Sequence, residues 1–220
     1  MAHTRSTRGL RAAQVAAGLM IAVAVVEAPV YGGAELQQAM THPLWLPATT
    51  AALAALGLLM WALPALADAQ GSALGRWGRR GAAAAVVGLF LNSGLLYTHT
   101  FVTPVLAADH PSAYAAFYGP DIPPVGLLVA FLLGRVGQHA GLVVFGVASW
   151  RAGTVPRAAA VLVVLGGALG LLTFAAGLSI GVAGVVNVVP LVGLAMMASA
   201  LRRHDEVPAA VTVPRPSTVS

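Results

Sequence analysis

The stretch 157–201, RAAAVLVVLGGALGLLTFAAGLSIGVAGVVNVVPLVGLAMMASAL, carries no charge after its first residue, Arg157. A single helix over this length would run about 68 Å, more than twice the ~30 Å hydrocarbon core of a bilayer. It has to fold back. The segment Gly177-Leu-Ser-Ile-Gly181 marks the turn, leaving two spans, 157–176 and 181–201, that form a tight helical hairpin. Helices are required because lipid offers backbone groups no hydrogen-bond partners.

Working outward, four more apolar segments have the length of a span: 10–30, 46–67, 81–106 and 124–150. The expected fold is all-α, a polytopic bundle of six transmembrane helices over 1–203. A polar, proline-containing tail, 204–220, is expected to be disordered. Composition agrees, with 58% of residues hydrophobic and 9% charged, against about 25% charged in soluble domains. There is no cysteine. That removes disulfides, thiolate metal sites, thioether-linked haem and cysteine nucleophiles. Lysine is absent too, so all 12 basic residues are arginine. With so much Ala, Gly, Val and Pro, this is the usage of a GC-rich bacterial genome and says little about phosphate recognition.

Eleven of the arginines sort onto one side. Arg5, Arg8 and Arg11 precede the first span. Arg76, Arg79 and Arg80 lie between the second and third, Arg151 and Arg157 between the fourth and fifth, and Arg202, Arg203 and Arg215 after the sixth. The opposite loops carry Glu35, Asp109 and Asp121 instead. The positive-inside rule then places both termini in the cytoplasm of a bacterial plasma membrane. It also accounts for the pI near 10.7 without a nucleic-acid groove. Trp45 falls at the outer interface, and Trp77 and Trp150 at the inner one, where amphipathic rings prefer to sit. Tyr114, Phe117 and Tyr118 are expected to rest on the outer headgroups. The N-terminus has the look of a signal peptide, but Val26-Glu27-Ala28 followed by Pro29 is a poor cleavage site. The first apolar segment is therefore read as a span. Glycines at four-residue spacing (Gly137 and Gly141, Gly166 and Gly170, Gly177 and Gly181) point to close helix packing, which in lipid depends on small residues.

The exceptional arginine is Arg135, roughly 16 Å along its helix from Pro124 and so near mid-bilayer. A charge at that depth is expensive unless it faces protein or water. Gln138 and His139 follow it by three and four residues, which places all three on one helix face. Asn92, His99 and Thr103 share a face of the preceding span. Side chains lean toward their own helix N-terminus, so Arg135 leans outward while Glu27 and His99 lean inward, and Asn187 lies at a similar level. The expectation is a buried cluster of Arg135, His139, Gln138, His99 and Asn92 between the third and fourth spans. Glu27 serves as counter-charge and Asn187 lies nearby. The cluster has two readings: a site for a small anionic ligand or a proton, or a structural knot that locks helix packing.

Other chemistry finds little support. His99 and His139 lie at different depths, unsuited to ligating one haem iron. No zinc spacing, nucleophile elbow or phosphate loop is present, so no cofactor, metal or catalytic set is expected, and a haem-binding or other membrane enzyme ranks third, behind a small transporter or ligand-binding membrane protein and a non-catalytic scaffold or partner subunit. The breaks that transporters place at midplane would fall at Gly134-Arg135-Val-Gly137 or Asn187-Val-Val-Pro190. The chain is short for a carrier, so a homo-oligomer or a membrane partner is expected in that case.

The turn Phe145-Gly-Val-Ala-Ser-Trp150-Arg-Ala-Gly-Thr-Val-Pro156-Arg157-Ala-Ala-Ala160 resembles one in a broad group of uncharacterised multi-pass membrane proteins of actinobacteria. There one helix ends in G-x-A-x-x-R-A-G and the next begins at P-R-A/W-A. His42-Pro-Leu-Trp45 before an apolar span has the same character. The resemblance implies a small all-helical bundle in the plasma membrane. It implies no activity, and no site residues carry over.

Overall fold

A computed structural model describes residues 2–31, 39–118, 125–176 and 180–206. The chain is all-α there, with no strand among the described residues. The helices are α1 (Ala2–Tyr31), α2 (Trp45–Ala69), α3 (Gly75–Tyr97), α4 (Thr103–Asp109), α5 (Pro111–Tyr118), α6 (Val125–Ala152), α7 (Arg157–Ala175) and α8 (Ile180–Glu206). A 3-10 turn, Gly71–Leu74, leads into α3, and a π turn, Thr98–Val102, joins α3 to α4. Six segments are long and apolar enough to cross a membrane: Thr7–Val26, Trp45–Ala69, Gly71–Asp109, Leu128–Ala152, Arg157–Ala175 and Gly184–Arg203.

These six form a ring. Each packs on its neighbour in the chain, and α1 packs on α8 to close the circle. Small residues let the backbones approach, as packing in lipid requires. Alanines 13, 16, 55, 62, 85, 159, 160 and 198 are almost fully buried, interleaved with Leu10, Leu63, Leu66, Leu194 and Met197. The α3–α6 contact is the tightest. A Cβ on Gly81 would come within 2.7 Å of the Phe145 nitrogen, and one on Gly88 within 2.6 Å of the Gly134 carbonyl oxygen. The α7–α8 contact repeats the device where Gly166 receives the ring of Pro190 and Gly193 faces Ala159 and Val163.

Several boundaries differ from those expected. The helix that carries the third span begins at Gly75, so Arg76, Arg79 and Arg80 lie in its first turns and not in a loop. Arginine is a good helix former, and its long stem lets the charge reach the headgroups from inside a helix. The guanidinium groups of Arg76 and Arg80 lie 5.7 and 5.2 Å from the Trp77 ring. The last helix likewise runs past 203 to Glu206, while 207–220 of the expected tail lie outside the described residues. So do 177–179 of the expected hairpin turn.

Trp45 is buried against Ala39, Met40 and Tyr114 in a small satellite cluster, rather than lying open at the outer interface. Tyr114 thus packs on protein. Trp77 and Trp150 are exposed, as interfacial residues are. On the basic side, two turns clasp one another. The Thr154 hydroxyl donates to the Gln70 side-chain oxygen at 3.0 Å, and the Gln70 amide donates to the Leu66 carbonyl at 3.2 Å.

Candidate functional site

Asn92 and Gln138 meet across α3 and α6. The Asn92 Nδ2 donates to Gln138 Oε1 at 2.6 Å, with Asn92 buried against Gly134. A larger residue at 134 would displace the asparagine, since a Cβ there would lie 2.9 Å from Asn92 Oδ1. This amide pair fixes the level of the site near the middle of both membrane-spanning segments.

His139 does not join it. Successive residues on a helix are turned by about 100°, and α6 has neighbours on two sides. Gln138 looks toward α3 while His139 turns to α7. Its side chain is 1% exposed, and the imidazole lies directly on Gly170. The expected single face is therefore divided between two interfaces. His139 Nδ1 is buried with no hydrogen-bond partner among the described residues. Gly170→Ala is expected to destabilise the protein by about 2 kcal/mol, because the methyl would meet the ring. His139→Ala should recover part of that loss in the double variant, read as thermal midpoints in detergent. Additive losses would mean that the ring does not sit on Gly170.

Arg135 lies one turn from His139, partly buried, with its guanidinium 5.5 Å from the centre of the Phe131 ring. Phe131 in turn meets Phe174 of α7 edge-on, with centroids 5.4 Å apart. Among the described residues Arg135 has neither a carboxylate nor a hydrogen bond. Its charge is within electrostatic reach of both His99 and His139.

His99 sits in the π turn. Proline has no N–H and its ring crowds the preceding turn. Pro104, just beyond, therefore leaves a carbonyl without its usual donor, and the helix widens there. Threonine hydroxyls tie the irregular segment together. Thr103 donates to the Thr98 carbonyl at 3.0 Å and Thr100 to the Leu96 carbonyl at 2.7 Å. The helix irregularity thus falls at His99. Both stretches proposed as breaks, at 134–137 and 187–190, are continuous helix. Single π turns recur at functional sites.

Two residues stand apart. Asn187 lies on α8, one turn before Pro190, and α8 does not pack on α6. Glu27 has its backbone in α1, but its side chain lies outside the described residues. Among the described residues no three His, Asp or Glu form a metal-binding group. The amides of Asn92 and Gln138 meet on one side of α6, His139 lies on Gly170 on the other, and the Arg135 guanidinium lies over the Phe131 ring.

A second polar set was not anticipated. Gln14 Nε2 donates to Ser199 Oγ at 2.8 Å, Arg202 donates to Gln14 Oε1 at 2.9 Å, and Ser199 donates to the Ala195 carbonyl at 2.8 Å. It closes the ring between α1 and α8. The available signal was one lone polar residue on each span at matching depth on the basic side.

By length and composition these helices are those of a multi-pass membrane protein with polar groups held inside its bundle. Comparison with known proteins adds no family to that class: no protein-family model, no curated protein and no solved structure matches the chain.

Proposed function

We propose that this is a multi-pass protein of a bacterial plasma membrane, with both termini cytoplasmic, that binds a small anionic group at Arg135. One observation carries the reading. A guanidinium lies partly buried near the middle of a 28-residue membrane-spanning helix, with no carboxylate partner among the described side chains. Intramembrane arginines usually have a countercharge or line an ion path. The neighbouring imidazoles of His99 and His139 supply groups able to donate to or accept from a bound anion. Phe131 and Phe174 exclude water from one flank. Transport of such an anion is the wider function this supports, and the π turn at His99 is the irregular point in the span that faces it.

The amide pair favours a narrower reading for part of the cluster. The Asn92–Gln138 hydrogen bond joins two helices directly, so these residues hold the interface and the ligand falls to Arg135 and the histidines.

The test is a thermal-shift series in lipid nanodiscs with chloride, inorganic phosphate, acetate and benzoate, on wild type and Arg135→Gln. A ligand at a hundred times its Kd contributes about 2.7 kcal/mol, a rise of roughly 5 °C or more for a chain of this size. The expected result is a rise for one anion class in wild type and none in the variant. Equal rises in both, or none in either, would overturn the reading and favour a scaffold role.

A further inference from the structure

The α1–α8 seam holds a groove of about 480 Å³, bordered by the exposed residues Gly18, Ile21, Met196 and Arg203. Along α8 its lining runs from Arg203 through Ser199 to Val192, and along α1 from Gln14 through Gly18 to Ile21. The two ends differ. At one, Arg203 is exposed, and among the described residues it has no carboxylate partner and no acidic side chain lines the groove. At the other, every lining side chain is apolar. Between them the Gln14–Ser199 hydrogen bond fixes the floor.

The length is informative. From Arg203 to Val192 the groove covers about 16 Å of helix, roughly half the ~30 Å hydrocarbon thickness. It begins at the level of the basic loops, where headgroups lie, and ends near midplane. That is the reach of one acyl chain in one leaflet. We propose that the groove holds an anionic membrane phospholipid, its phosphate on Arg203 and one acyl chain along Gly18, Ile21 and Val192.

Gly18 gives the groove its depth. A Cβ there meets nothing within 4 Å, so a large side chain enters the groove without disturbing the fold. Gly57 on α2 is equally open and lies away from the groove, which makes it the control.

The experiment titrates the full-length protein in mild detergent with dioleoylphosphatidylglycerol, and separately with dioleoylphosphatidylcholine, and counts bound lipids by native mass spectrometry. Wild type should bind one phosphatidylglycerol saturably and more tightly than phosphatidylcholine. A cation at the membrane surface favours an anionic lipid by roughly fivefold. Arg203→Gln should remove about that factor for phosphatidylglycerol and leave phosphatidylcholine unchanged. Gly18→Phe should weaken both lipids, and Gly57→Phe neither. Equal binding of the two lipids by wild type would overturn the phosphate contact. Unchanged binding by Gly18→Phe would overturn the groove.

Discussion

Gly88→Ala is expected to lower stability by about 3 kcal/mol, the upper end of what overpacking costs, and to reduce the yield of folded protein sharply. The added methyl has nowhere to go. It would lie 2.6 Å from the Gly134 carbonyl oxygen and 2.7 Å from Gln138 Cα, and backbone cannot swing aside as a side chain can. Either α3 and α6 separate or one slides along the other. Separation loses the close contact that lipid does not replace. Sliding breaks the Asn92–Gln138 hydrogen bond, because its register is set by the same glycines. Gly94→Ala on the same helix is the comparison, since a Cβ there meets nothing within 4 Å. It should be neutral or stabilising by up to about 1 kcal/mol, as glycine is the poorer helix former. Thermal unfolding in a mild detergent, read by circular dichroism, separates the two. Similar midpoints for both variants would mean that the backbones at Gly88 are not in contact.

This pair of glycines shows where the sequence is readable and where it is not. The number of spans followed from length and charge alone, because a bilayer fixes both how long a helix must be and which loops hold arginine. Which helix Gly88 faces does not follow. A glycine open to lipid and one pressed on a backbone are the same letter, and only the ring order distinguishes Gly88 from Gly94. The candidate site divides in the same way. Arg135 was conspicuous because charge at midspan is rare. Arg135, Gln138 and His139 share a face by spacing, but such a face meets a single partner only when the helix has one neighbour. In a ring every helix has two, and the face splits between them. The π turn was half visible in Pro104, which announces a disturbed helix without saying whether it bends, breaks or widens. The Gln14–Ser199 contact joins the first span to the last, and nothing local to either residue indicates that closure.

Arg135→Leu is expected to stabilise the folded protein by about 1–2 kcal/mol, raising the thermal midpoint by several degrees. Arginine at the centre of a span costs about 2.5–3.5 kcal/mol on insertion scales. An ion pair offsets such a cost, whereas among the described residues the guanidinium has no carboxylate partner and lies over the Phe131 face. A cation over an aromatic ring returns about 0.5–2 kcal/mol, which leaves a deficit. Part of that deficit is shared with the unfolded chain, whose helices also remain in lipid, so the gain is smaller than the insertion cost. Leucine occupies the space without a polar group and is a strong helix former. Residues kept at a cost to stability are commonly those that function requires, so the same variant should lose the anion response. Glu27→Gln provides the decisive comparison. If Arg135→Leu destabilises instead, and the double variant recovers much of the loss, the two residues are an ion pair by the logic of a mutant cycle. The arginine would then hold helices together rather than await a ligand. A gain in stability with loss of the anion response assigns it to binding.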